Sequence, residues 1–103
     1  MLNSFYAEDG IERCGFILED ETVVEVENIS EDPENSFEIS AEMLVKFEDT
    51  MVAAWHTHPN APAQLSDDDY VGFMNWPNIK HYIIGADGVR CYEVHEGAVV
   101  NVT

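Results

Sequence analysis

Short apolar runs separated by polar turns give the chain its most regular pattern. Five runs have the length and the β-branched or aromatic content of strands, at residues 12–18, 22–27, 51–57, 80–85 and 89–95. A sixth run, at residues 98–102, is predicted as an edge strand. Residues 19–21 and the glycine-flanked segment 85–88 have turn chemistry, so the pattern predicts two hairpins.

Helical spacing of apolar residues predicts two helices between these strands. Ser40 is a typical N-cap residue, and the helix that it begins is expected to extend to about Glu48. A second helix is predicted over residues 66–75, and a short N-terminal helix over residues 2–9, ended by Gly10. The residues expected to face the core are Met43, Leu44 and Phe47 in the first helix and Tyr70, Phe73 and Met74 in the second.

The size and composition of the chain fit one small domain. Its 103 residues are 46% hydrophobic, so a single domain over residues 1–103 is expected, and the element order alone predicts a small α/β domain. No apolar run approaches the roughly 20 residues of a membrane span, and no secretory leader is recognisable. We therefore expect a soluble, cytoplasmic protein with no membrane partner. Cys14 and Cys91 lie in apolar strands and are expected to be buried thiols.

The charge balance limits the classes of partner. The chain has 21 acidic residues against 4 basic ones, a formal net charge of -17. Because this field repels phosphate, nucleic acid is not expected as a partner. A solvated acidic surface is the simplest interpretation. High-salt adaptation, attraction of a basic protein and local gathering of cations remain as alternatives.

A metal-ligand pattern follows the strand at residues 51–57. His56 and His58 are one residue apart, so in an extended chain their side chains point to the same face. Pro59 ends the strand, and Ser66 begins the second helix with Asp69 in its first turn. If the loop and helix fold back over the strand end, two imidazole nitrogens and one carboxylate oxygen converge. This is the ligand set of an open catalytic zinc site, with one position left for water.

A purely structural interpretation of the same residues is also available. Ser66 and Asp69 form a capping-box pattern, and two neighbouring histidines are often surface residues. Each feature taken alone favours the structural interpretation, but their conjunction favours a metal site. The isolated His81 and His95, and the first-turn acids Asp67 and Asp68, are expected to be structural or surface residues.

The pattern His-x-His-Pro, six residues, then Ser-x-x-Asp resembles the signature of the JAMM (MPN+) metalloproteases without a gap. The segment Glu12-Arg13-Cys14-Gly15-Phe16 resembles the strand on which that family places its catalytic glutamate. Within the family, the segment at residues 28–40 is similar to that of phage tail-assembly proteins of the lambda K type. Those proteins often have a second, cell-wall hydrolase domain, which is not expected here.

The resemblance implies a fold and a set of roles. The implied fold is cytidine-deaminase-like, a three-layer α/β/α domain with a mixed central sheet. One zinc ion per chain would be held by His56, His58 and Asp69, with Glu12 as the general base. Ser66 would donate a hydrogen bond to the developing oxyanion. The other ring nitrogen of each histidine needs an acceptor that the sequence does not identify.

These features favour a zinc-dependent metallopeptidase or isopeptidase. Its expected partner is a protein or peptide substrate, such as a phage tail protein or a protein with a ubiquitin-like or flexible tail, and the chain is expected to be a monomer or weak homodimer. The alternative is a non-catalytic MPN-type interaction module, although such relatives typically lack the ligands present here. A zinc deaminase shares the fold, but it uses cysteine ligands and a His-x-Glu element that the chain lacks.

Overall fold

The structure is a computed structural model that describes residues 2–6 and 10–103. Within these residues, one sheet contains β1 (Cys14–Leu18), β2 (Val23–Val26), β3 (Met51–Thr57), β4 (Lys80–Gly85), β5 (Gly88–His95) and β6 (Ala98–Asn101). The helices are α1 (Ala41–Phe47), α2 (Asp67–Met74) and an N-terminal 3-10 helix (Leu2–Phe5). No helix in this described part of the chain is long and apolar enough to cross a membrane.

The strand order is β2-β1-β3-β4-β5-β6, and only the central β3–β4 pairing is parallel among the described strands. The two predicted hairpins, β1–β2 and β4–β5, are confirmed. Parallel strands need a crossover, and α2 provides it between β3 and β4. The carboxyl end of β3 and the beginning of α2 therefore lie at the same edge of the sheet, where α/β folds commonly bind ligands.

Both α-helices cover the same face of the sheet. Phe16, Ala54 and His81 are direct neighbours across three strands and so share one face. Phe47 of α1 packs on Phe16 with ring centroids 5.6 Å apart, and Phe73 of α2 stacks on His81 at 4.2 Å. The predicted α/β fold with a mixed central sheet is confirmed. Both α-helices form one layer on this face, and the predicted third layer is represented by the N-terminal 3-10 helix on the other face.

The opposite face is covered by the short N-terminal segment. Trp55 is buried there, and Phe5 of the 3-10 helix packs on its ring at a centroid distance of 4.4 Å. Gly15 makes this packing feasible, because a Cβ at that position would lie 2.8 Å from the Trp55 ring. The predicted N-terminal helix is observed only as this 3-10 turn, and its predicted part at residues 7–9 lies outside the described residues.

The helix caps agree with the sequence-based prediction, whereas the orientation of Tyr70 and the beginning of β1 do not. Ser40 caps α1, and Met43, Leu44 and Phe47 pack against the core as predicted. Tyr70, predicted to face the core, is 40% exposed because α2 turns Asp69 inward together with Phe73, which was predicted correctly. Glu12 precedes β1 rather than beginning it, because its backbone N–H donates to the Pro33 carbonyl at 2.7 Å.

Candidate metal centre

The register between β1 and β3 brings the predicted base to the predicted ligands. Cys14 pairs with His56 in antiparallel register, and the Thr57 N–H donates to the Arg13 carbonyl at 2.8 Å. Continuing this register by one residue places Glu12 opposite His58. Side chains alternate along a strand, so Glu12, His56 and His58 belong to the same face.

The loop after His58 is held against the β4–β5 turn. The His58 N–H donates to the Ile84 carbonyl at 2.8 Å, and the Ala86 N–H donates to the Ala61 carbonyl at 2.7 Å. Asp87 Oδ1 accepts from the Ala63 N–H at 2.7 Å, and the Tyr92 hydroxyl donates to the Ala63 carbonyl at 3.2 Å. Ala63 is completely buried as a result. This docking fixes the path from the histidines to α2.

The capping box at the start of α2 orients the third ligand candidate. Ser66 Oγ accepts from the Asp69 N–H at 3.1 Å, and Asp69 Oδ2 accepts from the Ser66 N–H at 3.3 Å. The same carboxylate reaches the two histidines. The structural and metal-site interpretations of this segment are therefore compatible, because one residue serves the cap and faces the cluster.

Four potential ligand atoms from three residues lie close together. His56 Nε2 lies 2.9 Å from Asp69 Oδ1, His58 Nε2 lies 3.0 Å from Asp69 Oδ2, and the two Nε2 atoms are 3.2 Å apart. Bonds of about 2.0 to 2.1 Å around a tetrahedral zinc ion would separate its ligand atoms by about 3.3 Å. The cluster is therefore close to the size that a tetrahedral metal requires.

Hydrogen bonding fixes which atoms face the cluster centre. His58 Nδ1 lies 3.1 Å from the Pro62 carbonyl oxygen, which only accepts, so Nδ1 must carry the proton. In neutral His58 the Nε2 lone pair then faces a carboxylate oxygen and the Nε2 of His56. Because a nitrogen lone pair and a carboxylate oxygen repel each other, the contact between His58 Nε2 and Asp69 Oδ2 requires a proton on that nitrogen or a metal ion between the two groups. Two imidazoles and one carboxylate are a donor set that suits zinc.

The pKa directions agree with this electrostatic balance. Burial acts to raise the pKa of Asp69, but the hydrogen bonds from both histidines hold it well below its usual range. Burial lowers the pKa of His56. Burial also acts to lower the pKa of His58, but its bonds to Asp69 and the Pro62 carbonyl raise it overall. Of the two histidines, His58 therefore binds its second ring proton more tightly than His56 does.

Glu12 is a buried carboxyl group beside this cluster. Only 7% of the residue is exposed, and burial raises its pKa to about 7, opposed by the His58 charge and reinforced by Asp69. The backbone of Glu12 is held by the acidic loop at residues 28–38, because Asn28 Nδ2 donates to the Glu12 carbonyl at 2.9 Å. A carboxyl group that titrates near neutrality has the property of a general acid or base.

The other predicted residues lie where the sequence indicated. Asp67, Asp68 and His95 are exposed. His81 is buried, stacks on Phe73 and donates from Nε2 to the Trp76 carbonyl at 2.9 Å, so it is a core residue. Cys14 and Cys91 are free thiols: Cys14 is buried as predicted, and burial raises its pKa to about 12, whereas Cys91 is only half-buried.

Two features of the centre were not predicted. The Pro62 carbonyl is the acceptor that orients His58, and Asp87 anchors the loop through Ala63. A backbone carbonyl leaves no signal in the sequence. Asp87 did stand in a recognisable Asp-Gly turn, but that pattern indicated only a hairpin. The roles of His56, His58 and Asp69 as metal ligands, and of Glu12 and Ser66 in catalysis, stay predictions.

The geometry agrees with comparisons to known proteins. The solution structure of protein DSY2949 from Desulfitobacterium hafniense is similar, with a TM-score of 0.67 and 20% identity over 91% of this chain and 77% of that chain. No curated protein matches the sequence. The family model described as prokaryotic homologs of the JAB domain matches residues 3–95. The chain therefore belongs to the family of prokaryotic homologs of the JAB domain.

Proposed function

We propose that the protein is a zinc-dependent metallopeptidase or isopeptidase that hydrolyses an amide bond in a protein or peptide. The observation that supports this most strongly is the cluster of potential metal-ligand atoms on His56, His58 and Asp69, with Glu12, whose pKa is raised to about 7, beside it. Substrate candidates are a phage tail protein and a protein with a ubiquitin-like or flexible tail.

The chain's own residues divide the work of hydrolysis. A zinc ion held by His56, His58 and Asp69 supplies Lewis-acid chemistry, which activates water and polarises a carbonyl. Glu12 accepts a proton from the attacking water on a carboxylate oxygen and returns it to the leaving amine. Its pKa of about 7 in the metal-free protein suits both transfers.

Ser66 contributes a second polar group. Its Oγ accepts a hydrogen bond from the Asp69 N–H, which leaves the hydroxyl proton for another acceptor. Directed at the carbonyl oxygen as it gains negative charge, such a donor typically contributes about 3 kcal/mol to transition-state stabilisation. The helix cap uses the hydroxyl oxygen of Ser66 as an acceptor, and the proposed catalytic role uses its proton as a donor.

The test measures amide-bond cleavage by the zinc-loaded parent, by Glu12→Gln and by the control Glu27→Gln. The substrates are a proteome-derived peptide library and a ubiquitin-like protein joined to lysine through its tail. Mass spectrometry identifies the cleaved bonds. We expect Glu12→Gln to keep its zinc and lose at least about 100-fold in rate, and Glu27→Gln, altered at an exposed position, to match the parent.

Two results would count against the proposal. A zinc-loaded parent that cleaves none of these substrates would favour the non-catalytic interaction module. Equal rates for the parent and Glu12→Gln would remove Glu12 from the reaction.

A further inference from the structure

An apolar cavity lies between the helical layer and the sheet. It has a volume of about 270 Å³ and is lined mainly by apolar side chains of both helices and the strands beneath them. Leu44, Met51, Phe73 and Ile79 form its walls, and Trp76, 38% exposed, stands at its mouth. An apolar protein cavity of about 150 Å³ is large enough to bind benzene. This cavity therefore has room for a large aliphatic or aromatic side chain.

The apolar cavity borders the candidate metal centre. His56, Asp69, Glu12 and Ser66 contribute to the same lining as the apolar residues. A side chain held in the cavity would therefore place its own backbone close to the centre. Binding of the side chain in the cavity would thus orient the neighbouring bond for reaction.

The mouth of the apolar cavity is negatively charged. Glu38 and Asp68 are exposed and line it, and no lysine or arginine of the described residues forms an ion pair with either. With a net charge of -17 on the whole chain, these carboxylates attract cations strongly. The cavity thus combines an apolar interior with an acidic entrance, which complements an apolar residue flanked by basic residues.

We propose that the apolar cavity is a specificity pocket for a large apolar side chain next to the cleaved bond, in a substrate with lysine or arginine beside that residue. This inference rests on the proposed peptidase function and names its substrate class. The apolar side chain is held among Leu44, Phe73 and Ile79, and the flanking cations lie near Glu38 and Asp68.

Binding of acetylated tripeptide amides to the zinc-loaded protein tests this pocket. The probes are Lys-Phe-Lys, Lys-Gly-Lys and Glu-Phe-Glu, with affinities measured from backbone amide chemical shifts. We expect Lys-Phe-Lys to bind at least about 10-fold more tightly than either other peptide, with shifts concentrated around the apolar cavity. Each probe has the same residue on both sides of its central residue, so the result does not depend on the direction in which the peptide lies.

Two variants connect the preference to the apolar cavity. Gly72 lines the cavity and has room for a side chain, because a Cβ built there meets no atom within 4 Å; we expect the larger side chain of Gly72→Leu to reduce the space in the cavity and abolish the preference for phenylalanine. Val71→Leu enlarges an exposed side chain of the same helix outside the cavity and serves as the control. The double variant with Glu38→Gln and Asp68→Asn should bind Lys-Phe-Lys several-fold more weakly than the parent does.

The possible failures are distinguishable. Equal binding of Lys-Phe-Lys and Lys-Gly-Lys to a zinc-containing parent, or an unchanged preference in Gly72→Leu, overturns the specificity pocket alone. A parent that takes up no zinc overturns the proposed function, and the pocket then serves no reaction.

Discussion

The carboxylate of Asp87 accepts a 2.7 Å hydrogen bond from the backbone N–H of Ala63, 24 residues earlier in the chain. This bond joins the β4–β5 turn to the loop between the second histidine and α2. The loop contains Pro62, whose carbonyl orients the His58 ring. A turn residue remote in sequence therefore helps to define the candidate metal centre.

Replacing Asp87 with alanine should loosen the centre without removing a ligand. We expect zinc affinity to fall by about 10-fold, the lower end of the range for residues that orient metal ligands. Competition with a coloured chelator measures it. Asp20→Ala is the matched control, because Asp20 Oδ1 also accepts from a backbone N–H, that of Thr22, in the remote β1–β2 turn. An equal loss of affinity in both variants would contradict the anchoring role.

Gly85 should tolerate no side chain. A Cβ at this position would lie 2.2 Å from the Ala63 nitrogen and 2.5 Å from the Pro62 carbonyl carbon, both backbone atoms. We expect Gly85→Ala to lower the free energy of unfolding by about 2 to 3 kcal/mol, measured by urea denaturation. Gly72→Ala, which meets no atom within 4 Å in α2, should instead gain about 0.5 to 1 kcal/mol. A fully stable Gly85→Ala protein would show that the loop is not docked as described.

Asn28 should be required for the order of the acidic loop. Its side-chain amide donates to the Glu12 and Ser36 carbonyls, and its oxygen accepts from the Ser30 and Glu38 N–H groups. We expect Asn28→Ala to cost about 2 kcal/mol in unfolding free energy because several hydrogen bonds are lost together. The exposed Asn78→Ala serves as the control, and equal stability of the two variants would contradict this role.

Glu12 should make the stability of the metal-free protein depend on pH. Burial raises its folded-state pKa from 4.5 to about 7, so the folded state binds this proton more tightly than the unfolded state. Its contribution is fully present below about pH 4.5 and is lost as pH rises through about 7. The loss is on the order of 2 to 3 kcal/mol.

Urea denaturation of the metal-free protein between pH 5 and 8 checks this sign. Glu12→Gln should remove the part of the decline that Glu12 causes, leaving the part that the raised pKa of His58 contributes, and should exceed the parent in stability at pH 8, whereas Glu27→Gln should follow the parent. A parent whose Glu12-dependent stability rises with pH over this interval would show that the carboxyl group is not buried as described.

Local sequence pattern predicted much of the fold, but it did not predict most of the contacts that hold the candidate metal centre in place. The strands, the Ser40 and Ser66 caps and both hairpins depend on residues close in sequence, so period and turn chemistry predicted them. The approach of Glu12 to His58 depends on sheet register, which the resemblance supplied and periodicity could not. Tyr70 was misplaced because the need to direct Asp69 inward decides the orientation of α2.

We propose that His56, His58 and Asp69 together hold one zinc ion. The most direct measurement is the zinc content of purified, zinc-loaded protein by elemental mass spectrometry. The proteins compared are the parent, His56→Ala, Asp69→Asn and the exposed-histidine control His95→Ala. Circular dichroism shows that each is folded. We expect about one zinc per chain in the parent and in His95→Ala, and a strong loss of zinc in His56→Ala and Asp69→Asn. A parent that stays free of zinc, or an Asp69→Asn variant that retains it fully, would contradict the claim.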